Sequence, residues 1–146
     1  MENLSIEILT ELKPENEEDI RQLVLALTKD ASVEYSPDYL RKIINNPDYV
    51  AITAFDGNKI VGVLILITYL LIEGERKGWI EGLVVSENYR GQGIGRKLVE
   101  KAIEKAKGMG LKSLNLTSRE ERIAANKLYQ KMGFTKYETN VYRIKF

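Results

Sequence analysis

The 146-residue chain contains no cysteine and no histidine. The first absence removes disulfides and the thiol nucleophile, and it fits a reducing compartment. Together the two remove the common zinc sites and every nucleophile–histidine pair, so no metal is expected. Acid–base chemistry therefore falls to carboxylate, tyrosine, lysine or ordered water. An excess of one charge is missing too: 22 Lys and Arg stand against 21 Asp and Glu, a net +1. Phosphate-binding proteins that grip nucleic acid normally carry a marked basic excess, so no nucleic-acid partner is expected. The longest apolar stretch, Ile60 to Ile67, falls far short of the about 20 residues that span a bilayer. Met1 to Thr10 holds acidic residues and no long apolar run, unlike a secretory signal. These features predict a soluble, cytoplasmic protein that needs no membrane.

What is present reads as one globular domain over residues 1–146, with no linker or internal repeat. Ser5 to Thr10 alternates like a half-buried strand. Ile20, Leu23, Val24 and Leu27 recur at helical spacing after Pro14, with Glu15, Glu17, Glu18 and Asp19 beside the positive helix end. Ser36-Pro37 opens a second short helix, which Asn45-Asn46-Pro47 stops. Tyr49–Phe55 and Ile60–Tyr69 form a hairpin about Asp56-Gly57-Asn58-Lys59. A loop with Gly74 and Gly78 leads to the strand Trp79–Val85. Ile94, Leu98, Ala102, Ile103 and Ala106 mark a third helix, and Leu111–Thr117 a strand. Ser118 and Glu121 form a capping-box pattern ahead of a helix bearing Ala125, Leu128, Tyr129 and Met132. Phe134–Tyr137 and Asn140–Phe146 read as two final strands. The pattern predicts an α/β fold whose sheet is mixed, because hairpins and helical crossovers both occur.

The most informative segment is Arg90-Gly91-Gln92-Gly93-Ile94-Gly95-Arg96-Lys97, between a buried strand and a helix. Alternating glycines let the backbone approach a ligand closely. The first N–H groups of the next helix lack intrahelical partners, and with the helix dipole they attract an anion. Arg90, Arg96 and Lys97 add positive charge, and a pyrophosphate is the natural guest. A Walker loop would need Gly-Lys-Ser or Gly-Lys-Thr at a spacing that no glycine here meets. A dinucleotide fingerprint would need glycine where Arg96 stands, and an acidic residue near Asn115 to Thr117, where there is none. The bland alternative is a tight strand-to-helix turn that needs glycine only for its geometry.

The run Arg90 to Gly95 resembles the R/Q-x-x-G-x-G/A signature of the GNAT superfamily, the acyl-CoA-dependent N-acyltransferases. Ile80 to Val85 looks like that family's central strand. Ala124 to Phe134 is similar to its A-x-x-x-Y-x-x-x-G-F segment. The resemblance implies a three-layer fold with a mixed, mostly antiparallel sheet of about six or seven strands flanked by about four helices. It implies acetyl-CoA as co-substrate and a small-molecule or peptide amine as acceptor. Backbone N–H groups of Gln92, Gly93, Ile94, Gly95 and Arg96 would hold the pyrophosphate, beside Arg90 and Gly91. Leu83, Val84 and Val85 would offer strand-edge groups to the pantetheine arm, and one of those N–H groups could stabilise an oxyanion. Asn126 matches a position that often contacts the coenzyme.

Tyr129 matches the family's usual general acid, which would protonate the departing thiolate; its other reading is a packing residue beside Leu128 and Met132. Glu81, the acidic residue of the Trp79–Val85 strand, has two readings of equal standing, the base that deprotonates the amine and a solvated carboxylate. Glu73 and Glu75 could meet a cationic substrate or simply be solvated. Some family members place a glutamate where Thr117 stands here, so that option is closed. The missing cysteine favours direct attack of the amine over an acyl-enzyme. A non-catalytic acyl-CoA-binding regulatory module on the same fold is the alternative. The first helices and the loop after Tyr69, which shape the acceptor pocket in this family, carry no motif. Open strand edges and the apolar C-terminal strands leave room for a homodimer.

Overall fold

A computed structural model describes residues 3–30 and 32–146. The chain forms two compact units, one running to Leu116 and one from Thr117 to Phe146. The first unit holds β1 (Leu4–Ile8), α1 (Glu17–Thr28), α2 (Pro37–Ile44), β2 (Tyr49–Asp56), β3 (Lys59–Leu70), β4 (Arg76–Val85), α3 (Ile94–Gly108) and β5 (Leu114–Asn115). Its sheet runs β1-β2-β3-β4-β5. The first four strands are antiparallel, and β5 joins β4 in parallel after the crossover through α3.

The local chemistry explains the helices. Three carboxylates, Glu17, Glu18 and Asp19, occupy the first turn of α1, where the dipole favours them. The Ser36 hydroxyl accepts the Asp38 N–H at 3.3 Å and Pro37 fills the first position of α2. Gly57 takes φ +61 in the β2–β3 turn, as a tight hairpin requires.

Apolar side chains then sort to the two sheet faces. On one face Leu12, Ile20, Leu23 and Leu40 pack with Ala51, Val63 and Val84. On the other lies α3, which buries Ile94, Leu98, Val99 and Ala102. That helix crosses so close that a Cβ on Gly62 of β3 would stand 3.1 Å from Leu98 Cδ1. The expected three layers are therefore present in this unit: α1 and α2, the sheet, and α3. Among the described residues no helix is long and apolar enough to cross a membrane.

The sheet departs from expectation in strand count, with five strands instead of six or seven. Leu111–Thr117 contributes only the pair Leu114–Asn115. Phe134–Tyr137 and Asn140–Phe146 form no strand, and Tyr137, Val141, Tyr142, Ile144 and Phe146 are all at least 75% exposed. Alternation supplies two faces, but a strand also needs a backbone partner, and no ladder reaches these residues. In the second unit α4 (Ile123–Lys131) starts later than the capping-box pattern suggests. Arg122 stands at its N-cap without a side-chain cap, and the Ser118 hydroxyl is buried with no partner.

Candidate active site

The first unit brings most of the expected site residues together. β4 is paired with β5 only at Gly78↔Leu114 and Trp79↔Asn115. From Ile80 onward, among the described residues, its outer edge meets no strand. On its inner edge the register with β3 slips: Val63 faces Val84, Ile65 faces Glu81, and Leu64 therefore stands opposite both Gly82 and Leu83. This is a β-bulge, and Gly82 takes φ +64 to make it. The Ser86 N–H donates to Val61 O at 2.8 Å, so Ser86 and, by alternation, Val84 face β3. The peptide groups of Leu83 and Val85 are left on the free edge.

The glycine turn follows directly. Gly91 has φ +76 and Gly93 φ +79, and Gly93 is the N-cap of α3. Beyond its immediate chain neighbours, a Cβ built on either residue meets no atom within 4 Å, so glycine is set there by the backbone angle and not by crowding. The helix has no side-chain cap and no acidic residue in its first turn. Its first backbone bond runs from Lys97 N–H to Gly93 O at 3.1 Å, which leaves the N–H groups just before it pointing outward. Turn and edge meet at Val85: the Arg90 guanidinium donates to Val85 O at 3.2 Å, and a Cβ on Gly95 would lie 3.9 Å from Val85 Cγ2. Arg96 shares its charge with Glu100 through a 2.9 Å ion pair. Ile94 is 1% exposed and roots the turn in the core.

Glu81 lies opposite Ile65 and so on the α1–α2 face; it is exposed and forms no ion pair among the described residues. Tyr129 and Asn126 belong to the second unit, one turn apart on α4. Tyr129 is 8% exposed and meets Phe134 edge-on, with ring centroids 6.0 Å apart. Asn126 Nδ2 donates to Arg119 O at 3.0 Å, which ties the coil before α4 to the helix.

Two features escaped the sequence reading. The bulge was signalled by a lone glycine inside a strand, Gly82, which commonly marks one. The other is Tyr35, between α1 and α2, whose hydroxyl is buried without a partner. Burial, then the nearby Glu17 carboxylate, pushes its pKa up to about 12 against the opposing pull of Arg41. Arg41 itself bonds Glu17 and the Leu12 carbonyl, so neither charge is spent on the phenol. An orphaned hydroxyl costs stability, so Tyr35→Phe is expected to leave stability unchanged or raise it by up to about 1 kcal/mol. Urea denaturation checks this; a loss above about 1 kcal/mol would mean that the hydroxyl has a partner after all.

The sequence pattern of the acetyltransferase (GNAT) family matches residues 17–134. N-alpha-acetyltransferase 30 of Saccharomyces cerevisiae is 32% identical over 124 residues, covering 82% of this chain and 70% of that protein. The human N-alpha-acetyltransferase 30 is 30% identical over 122 residues, covering 84% of this chain; the chain spans only 34% of that protein's length. An aminoglycoside acetyltransferase from an uncultured soil metagenomic sample has the same fold, with a TM-score of 0.81 at 22% identity over 99% of this chain and 97% of that one.

Proposed function

The chain belongs to the acetyltransferase (GNAT) family and is an acetyl-CoA-dependent N-acyltransferase; from that premise we propose that it passes the acetyl group directly to a primary amine, with both substrates bound together. The observation that carries this reading is the junction at Val85, where an uncapped helix start with two left-handed glycines adjoins an unpaired strand edge. The residues fit the coenzyme. Space over Gly91 and Gly93 suits a pyrophosphate, and the free edge suits an extended arm with amide groups. The family's span runs through both units, which supports reading the whole chain as one catalytic domain. The missing cysteine suits a cytoplasmic setting.

Bound acetyl-CoA supplies an activated acyl carbon and a thiolate leaving group. N–H groups of Gln92 to Arg96 grip its phosphates, and Leu83 and Val85 hold its arm, with a strand N–H polarising the acyl oxygen. Val84, which faces β3, fixes the strand between them. Glu81 takes a proton from the amine directly or through water, and Tyr129 gives one to the departing sulfur. Asn126 supports the coenzyme from α4.

Among acceptors the α-amine of a peptide comes first, on two grounds. The relatives at 30–32% identity carry the name N-alpha-acetyltransferase. In addition, an α-amine titrates near about 8, against about 10.4 for lysine, so a solvent-exposed carboxylate such as Glu81 has far less work to do. The test is thiol release from acetyl-CoA across peptides, small amines and aminoglycosides, read with a colorimetric thiol reagent to which this cysteine-free chain gives no background. Peptide-dependent release with intersecting initial-rate lines is expected. Parallel lines with a trapped acetyl-enzyme would overturn direct transfer, and release with every amine except peptides would overturn the acceptor class.

A further inference from the structure

Between the last sheet bond, Ser86 N–H to Val61 O, and the first helical bond, Lys97 N–H to Gly93 O, the chain makes only local backbone bonds: Tyr89 to Ser86 O and Arg90 to Glu87 O. Arg90 reaches back to Val85, in the strand the segment has just left. Among the described residues, one hydrogen bond carries this segment to another part of the fold: the Tyr89 hydroxyl donates to Asp56 Oδ2 at 2.8 Å. From this we infer that Tyr89 and Asp56 are positioning residues that hold the glycine turn at the height its ligand requires.

The far end of this strut is firmly held. Asp56 closes β2, opposite Leu4 of β1 and Lys59 of β3. The turn it opens is clamped from α1: Asn16, 5% exposed, donates from Nδ2 to Asn58 O at 2.7 Å and to Asp19 Oδ2 at 3.0 Å. The same Asp19 oxygen accepts the Ile60 N–H at 3.0 Å. A half-buried carboxylate close to an anion site would be a liability left alone, and the phenol satisfies it. The bond to Asp56, then burial and the Asp56 charge, raise the Tyr89 pKa, so the hydroxyl keeps its proton and stays a donor at neutral pH.

A turn this free of backbone ties owes its order to its ends. Cutting the strut lets it wander, and the binding of a pyrophosphate must then re-order it. The inference rests on the coenzyme reading given above, and the experiment separates the two. Tyr89→Phe, Asp56→Ala and the double variant are titrated with coenzyme A by calorimetry. Each single change is expected to raise Kd about five- to tenfold, and the double change no further, since both cut one bond. In turnover the KM for acetyl-CoA rises while kcat and the acceptor KM hold; a bond that merely stabilised the fold would lower Tm and leave both KM values alone. Wild-type Kd in both single variants, or effects that add in the double, would overturn the strut. Should the unaltered protein not bind coenzyme A, the reading of the turn fails, and the strut is judged by amide exchange at Lys97 in ligand-free protein. It predicts exchange about fivefold faster in both variants, and an unchanged rate overturns it.

Discussion

Replacing Gly93 with valine is expected to raise the Kd for acetyl-CoA about a hundredfold while the protein still folds, an effect near 2.7 kcal/mol. Two causes act together. At φ +79 and ψ 11 the N-cap of α3 is left-handed, a conformation that a β-branched side chain adopts at a cost of about 1–3 kcal/mol. The new side chain would also project into space where, beyond its chain neighbours, no atom lies within 4 Å of its Cβ, so the fold accommodates the volume but a bound phosphate does not. Gly93→Asn separates the causes, because asparagine tolerates the left-handed region. It keeps the angle, adds bulk, and is expected to weaken binding by a smaller factor. Calorimetry measures the affinities and a thermal melt confirms folding. Valine with wild-type affinity would place the coenzyme elsewhere on the molecule.

Tyr129→Phe is expected to lower kcat about a hundredfold with acetyl-CoA affinity within about twofold of wild type, the lower end of what a positioned general acid contributes. The thiolate of a thiol with a pKa near 8.5 is a weaker base than the phenolate of a tyrosine near 10, so unaided transfer to the sulfur is uphill by about 2 kcal/mol. An acid held in place offsets that by being present at the moment of cleavage. Phenylalanine preserves the ring and its edge-on contact with Phe134, so stability should barely move and the loss is readable as chemistry. Saturating steady-state kinetics with a peptide acceptor gives the answer. An undiminished kcat would return Tyr129 to the role of a packing residue.

The parts of this protein that were legible in its sequence are those written locally. Proline and the acidic run announced α1, Ser36-Pro37 announced α2, Gly57 announced the hairpin, and Gly91 with Gly93 announced the turn. Each of these is enforced within a few residues by φ, a cap or a dipole. What was missed depends on partners far away in the chain. Val141, Ile144 and Phe146 have strand-like character, but no ladder reaches them, and periodicity says nothing about pairing. β5 is short because its neighbour β4 parts from it after Trp79. The Tyr89–Asp56 bond joins residues 33 positions apart, and the burial of the Tyr35 hydroxyl without a partner is set by packing between α1 and α2; sequence neighbours give no hint of either. The site was thus readable in its backbone-driven half and opaque where side chains meet across the fold.

The place where β4 leaves β5 carries a consequence of another kind. Trp79 forms the last pair there, and it is the single tryptophan of the chain. It lies two residues from Glu81 and one residue before the free edge begins. All indole fluorescence therefore originates at the fork, beside the carboxylate and the strand edge that the proposed function assigns to acceptor and coenzyme. The protein has a built-in optical probe at the point where its two substrates would converge, and its emission needs no deconvolution and no label.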